Sequence, residues 1–192
     1  MRKRVFESPK WRKPVPLAYG NAIDSIGSVA SPLLAGFSLA TIILVSSNAK
    51  SFRWPGAAIL VLTIAAVTLI GTVQFAYNAR QYLWSGADVL NWWPEMASSS
   101  ELETLLRDEQ AEAFHRWERW ASWTRVAYSC GIIALVAGLA LALPPKHGSG
   151  VQDSLRWIGA GVAFFACAGE ASWIIAVSLH RSLVGRRGKN LS

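Results

Sequence analysis

Between Ser99 and Pro144 nothing stops a helix: the stretch has no proline, and no glycine before Gly131. It opens on a polar start, Ser99-Ser100-Glu101, and runs through a charged segment studded with tryptophan. After Arg125 it turns apolar, VAYSCGIIALVAGLALAL, as far as Pro144-Pro145. At 1.5 Å per residue, about 44 residues make a rod of roughly 65 Å, twice the hydrocarbon thickness of a bilayer. One helix would then both cross a membrane and stand out of it.

The other apolar runs fit that requirement. Four stretches, about 23–47, 56–78, 126–143 and 157–179, each approach the length that crosses a bilayer as a helix. In 192 residues, 52% are hydrophobic and 16% charged, a balance that favours a polytopic membrane protein over a soluble core. Lys and Arg number six in residues 1–22, five in 79–125 and four in 180–192, against two each in 48–56 and 144–156. This positive-inside bias places both termini and the central segment on the cytoplasmic side of the cell (inner or plasma) membrane. The net charge of +7 is thus a topology signal, with an arm suited to anionic headgroups, and no nucleic acid is expected.

The expected fold class is all-α: a four-transmembrane-helix bundle whose second and third helices extend into a cytoplasmic helical hairpin. Residues 1–22 form a basic arm, extended by Pro9, Pro14 and Pro16. Residues 23–179 form the membrane domain, with the hairpin at 79–125, and 180–192 a basic tail. Ser47-Asn48-Ala49 resembles a cleavage site, but the apolar run before it is too long for a signal peptide. The first span carries Asp24 at its start, as a first-turn acid favoured by the helix dipole. Pro32, two turns in, is expected to kink the helix or to be bridged by Ser28 and Ser31. Pro55 suits the first turn of the second span, which can continue below the membrane until Ser85-Gly86.

The connection from Ser85 to Ser98 holds one short helical turn at most, near 87–92, before Trp92-Trp93-Pro94. With Trp84, Trp117, Trp120 and Trp123, this region carries six of the ten tryptophans. They form either a packed aromatic knot or a partner surface. On a wheel of 99–125, Leu102, Leu105, Leu106, Ala113, Trp117, Trp120, Trp123 and Thr124 share one face, with Phe114 off it. Glu103–Arg107 and Glu112–Arg116 are i,i+4 pairs on that helix. Such a stripe calls for a protein partner: the second helix's extension, a second subunit, or both.

Small residues recur every fourth position on the third helix, at Cys130, Ala134, Gly138 and Ala142. The fourth repeats the device at Gly159, Ala163, Cys167 and Ala171. Rows of this kind let helices pack closely in lipid. Cys130 and Cys167 sit at different depths, outside any C-x-x-C pair, so thiol-redox chemistry is not expected. Glu170 is the costly residue, well inside the fourth span. An unpaired charge there is unfavourable by several kcal/mol, so it needs a proton, a partner or a polar path. Depth matching offers Gln74, Ser129, Cys130, Ser28 or Ser31 as partners. A hydrogen bond to Gln74 would lock the bundle, whereas a carboxyl on a polar path would be functional.

No phosphate-binding glycine loop, nucleophile elbow or H-E-x-x-H motif is present, and His115, His147 and His180 fall in different places. No cofactor or metal site is therefore expected, and no enzyme. The strings Ala79-Arg80-Gln81-Tyr82-Leu83-Trp84 and Asn91-Trp92-Trp93-Pro94 resemble a pattern in uncharacterised four-helix integral membrane proteins of actinobacteria. That resemblance covers about a third of the chain and brings no known activity, so it assigns no residue a role. The function expected is an oligomeric channel, pore or membrane-effector subunit, with the hairpin as assembly or sensing surface. The alternatives are a membrane-anchored scaffold recruiting a cytoplasmic protein, and a small proton- or cation-coupled transporter using Glu170.

Overall fold

The structure, a computed structural model, describes residues 11–95, 99–146 and 150–189, with the side chains of 173–175 and 177–189 left aside. The described residues are helical, without a strand. The elements are α1 (Tyr19–Ser25), a π-helical turn (Ile26–Ala30), α2 (Ser31–Ser47), a 3-10 turn (Ala49–Ser51), α3 (Pro55–Arg80), α4 (Gly86–Trp92), α5 (Ser100–Ala142) and α6 (Val151–Lys189). Three helical stretches are long and apolar enough to cross a membrane: Tyr19–Ser47, Pro55–Arg80 and Ser100–Ala142. They point to a membrane protein. The fourth apolar run lies on α6, and most of its side chains beyond Ser172 fall outside the described residues, as do the first ten residues of the arm and His147.

Helix boundaries follow local chemistry. The Leu102 N–H donates to Ser99 Oγ at 3.4 Å and the Glu103 N–H to Ser99 O at 3.1 Å, so the expected polar start does open α5. Pro144 and Pro145 follow its end. α3 begins on Pro55, whose missing N–H costs nothing in a first turn. Pro32 is accommodated by the π-helical turn before it, which opens the backbone where the proline ring would meet a carbonyl. Ser28 Oγ donates to the Asp24 carbonyl at 2.7 Å, whereas Ser31 Oγ is buried without a partner among the described residues. Asp24 is corrected in position: the helix begins at Tyr19, so the acid sits in the last turn of α1 rather than the first.

The chain divides into two compact units, Met1–Ala30 with Thr72–Arg125, and Ser31–Gly71 with Val126–Ser192. In the first, Ile23 of α1, Ala79 of α3, and Phe114, Trp117 and Ala121 of α5 form one core cluster. Val89 of α4 and Leu106 of α5 form another, with Trp11, Trp84 and Leu102 packed against it. The buried positions of α5 here are Leu106, Gln110, Phe114, Trp117, Ala121 and Thr124. From Phe114 onward they alternate by three and four, the spacing that holds one seam against a partner helix. The buried face is therefore rotated from the expected stripe. Phe114 is core, while Leu105 and Trp123 are each 55% exposed, because interior space here goes to the side facing Ala76 and Ala79. Both i,i+4 pairs form: Arg107 donates to Glu103, and Arg116 to Glu112.

The second unit uses the same spacing with smaller residues. Ala58, Leu62, Ala65 and Leu69 of α3 are buried, as are Gly131, Leu135, Gly138 and Ala142 of α5. A methyl group added at Gly138 would lie 2.7 Å from Leu62 Cγ, and one at Gly131 2.7 Å from Leu69 Cγ. The two leucines therefore rest directly on α5 backbone. Cys130, expected in the packing row, is exposed, because the buried row on α5 in this unit begins at Gly131 and joins the expected one at Gly138 and Ala142. Ala134 is partly buried against the Leu62–Leu135 cluster. On α6 Gly159 and Ala163 are half-buried, and Cys167 Sγ donates to the Ile133 carbonyl at 3.7 Å. The loops of this unit also pair. Phe52 bridges to Pro145, Arg53 N–H donates to Pro144 O at 3.4 Å, and Arg156 Nε caps the α5 terminus at Leu143 O, 2.9 Å away.

Gly138→Ala is expected to lower stability by about 1–3 kcal/mol, the usual cost of overpacking a filled interior. Gly36→Ala on α2, where an added Cβ meets nothing within 4 Å, should raise it by roughly 0.5–1 kcal/mol. Thermal unfolding of the two variants in the same detergent compares them directly.

Candidate functional site

Within the first unit, glycines bring α1 and the π-helical turn against the end of α3. A methyl group at Gly27 would stand 2.1 Å from Ala76 Cβ, and one at Gly20 2.7 Å from Leu83 Cδ2. No larger residue allows that approach at Gly27, since Ala76 Cβ cannot swing away. Between these contacts lies a groove of about 170 Å³. Ala76, Ala79 and buried Trp117 line its apolar side, and Asn21, Asp24 and Arg80 its polar one. Arg80 Nη1 donates to Asp24 Oδ1 at 2.9 Å, with the side chains 72% and 44% exposed. An ion pair so open to water stabilises by about 0–1 kcal/mol, so these charges are poor candidates for a purely structural role. Asp24 and Arg80 are far apart in sequence, and sequence reasoning missed the pair because it treated Asp24 as a helix-start acid.

Beside the second core cluster, the described part of the arm is clasped by one side chain. Gln110, 2% exposed, accepts the Arg12 N–H on Oε1 at 2.8 Å. Its Nε2 donates to the Arg12 carbonyl at 2.6 Å and to the Trp84 carbonyl at 3.5 Å. The amide thus satisfies arm backbone as a neighbouring strand would. Trp11 lies near Gly86, with the Arg107 guanidinium 5.8 Å from its ring centre. α4 is held by a capping box. Ser85 Oγ accepts from the Asp88 N–H, and the Asp88 carboxylate accepts from the Ser85 N–H and hydroxyl, both at 2.7 Å. These bonds, the backbone one first, hold the Asp88 carboxyl below its ordinary value of 3.8.

The residues singled out from sequence separate into different environments. Leu106 and Trp117 are buried, Trp84, Leu102 and Trp120 are partly buried, and Trp120 lies 6.0 Å from Phe75. Trp92 and Trp93 stand outside, 64% and 46% exposed, edge to face at 6.2 Å. The aromatic segment is therefore core for some of its members and surface for these two. Glu170 and Gln74 are each exposed, and neither side chain has a partner among the described residues. Gln74 belongs to the first unit and Glu170 to the second. Phe165 of α6 is 75% exposed.

Among the described residues no three His, Cys, Asp or Glu side chains converge as metal ligands. Asp24 and Arg80 are the charged side chains lining the groove. Comparison with protein-family models, curated proteins and solved structures finds no match.

The lowered Asp88 carboxyl sets a sign for pH dependence. Its contribution to stability is present above the ordinary value of 3.8 and is lost as pH falls through the lower folded value. Ser85→Ala should cost about 1 kcal/mol at neutral pH, with the difference from the parent shrinking under strong acid. Unfolding midpoints measured as a pH series test this.

Proposed function

We propose that the chain is a non-enzymatic, four-spanning protein of the cell membrane with both termini cytoplasmic. In this reading it works as a homo-oligomeric channel, pore or membrane-effector subunit, and the 79–125 hairpin serves as its cytoplasmic assembly surface. The observation that carries the reading is Glu170, exposed on α6 with no side-chain partner among the described residues. A carboxyl facing lipid is disfavoured by several kcal/mol. A second copy, or a water-lined path between copies, removes that penalty. The small residue next to it supports close approach, since a methyl group at Gly169 would meet nothing within 4 Å. The purified protein should run as a defined oligomer by light scattering in detergent and carry ion flux in liposomes, with Glu170→Leu changing one or both. A monomer without flux would sink the idea.

The exposed Trp92–Trp93 pair favours a second reading, a membrane-anchored scaffold that holds a cytoplasmic protein through this edge. Trp92→Ala with Trp93→Ala should then abolish partner recovery while leaving oligomer mass and thermal midpoint unchanged. Loss of the oligomer together with the partner would assign the pair to assembly instead.

A further inference from the structure

We propose that the α1–α3 groove binds the headgroup of an ethanolamine phospholipid. The inference rests on the four-span reading for depth. The groove is lined by residues 20–24 and 76–83, which straddle the ends of the first and second apolar runs, so it lies where headgroups lie. Its charge is matched to a zwitterion. Asp24 and Arg80 stand 2.9 Å apart on its rim and sum to zero. A purely anionic headgroup would gain Arg80 and meet the Asp24 carboxylate, and a lone cation would meet the reverse. A phosphate joined to a primary ammonium by two carbons satisfies both.

Donors and acceptors are left over for it. Among the described residues Asp24 Oδ2 has no partner, and Arg80 donates only through Nη1. The guanidinium can therefore keep its ion pair and present a second edge to phosphate, while Oδ2 accepts from the ammonium. The same chemistry separates ethanolamine from choline. A trimethylammonium has no N–H to give Asp24, and choline sites are built from open aromatic faces. Trp117 offers none, being buried edge-on to Tyr19 and against Phe114. Size agrees as well. About 170 Å³ is below the roughly 300 Å³ at which pockets for drug-sized ligands begin, so a headgroup enters and the acyl chains stay outside.

The test uses the full chain purified from a membrane and exchanged into nanodiscs of equal parts phosphatidylethanolamine, phosphatidylglycerol and phosphatidylcholine. Lipid carried through detergent release is read by native mass spectrometry. We expect at least fivefold enrichment of the ethanolamine lipid. Asp24→Asn should remove the preference over choline, Asp24→Glu should restore it, and Arg80→Gln should lose retained lipid altogether, all at an unchanged thermal midpoint. Equal retention of the three lipids, or a preference that survives both Asp24→Asn and Arg80→Gln, overturns the proposal. So does binding of free O-phosphoethanolamine without any retained lipid, which would make the site one for a soluble zwitterion. Carbonate extraction of the same membranes separates the two readings. A protein that stays in the membrane pellet but shows no lipid preference fails only this inference, whereas one released into the supernatant fails the membrane reading as well.

Discussion

The packing of α3 against α5 is the constraint on which the rest depends. In the second unit Leu62 and Leu69 rest on the backbone at Gly138 and Gly131, with Ala58 and Ala142 sharing a cluster. Dispersion falls off steeply with distance, so a leucine seated on a bare helix backbone gains contacts that a Cβ in between would prevent. In the first unit the same three-and-four spacing is filled differently. Ala79 shares a cluster with Phe114, Trp117 and Ala121, so small residues on α3 receive large ones from α5. Each unit is thus tightened by pairing large with small, with the donor of bulk reversed.

Glycine serves a second purpose in the first unit. Gly20 and Gly27 stand seven residues apart on α1 and its π-helical turn, and each meets α3 or the turn after it. Contacts at these two places draw the backbones together and leave the stretch between them unfilled, where Asp24 and Arg80 face each other. Pro32 contributes from outside the groove. The widened turn that accommodates it ends α1 after Ser25, which sets Asp24 in the last turn of that helix. A backbone device and two missing side chains therefore bring together opposite charges from distant segments.

Polar groups show how each local environment is satisfied. Gln110 is buried because three backbone hydrogen bonds, to Arg12 and Trp84, replace the water it gives up. Asp88 stays at the surface and is held by its own helix start. Glu170 has neither kind of partner among the described residues.

What the sequence determined by itself was the helical class, the start of α3 at Pro55 and of α5 after Ser99, and three apolar stretches long enough to cross a membrane. These are local properties, set by proline, capping groups and the length of an apolar run, and they are legible wherever they occur. It also marked Gly138 as a packing residue and both i,i+4 ion pairs, which need only one helix to be read. The tertiary structure alone decided which face of α5 is buried, since an apolar stripe tolerates a rotation of one residue until a partner helix fills it. That rotation moved Phe114 inward, Leu105 and Trp123 outward, and the start of the packing row from Cys130 to Gly131. It alone joined Asp24 to Arg80 and Gln110 to Arg12, because pairs separated by tens of residues leave no periodicity for a sequence to show.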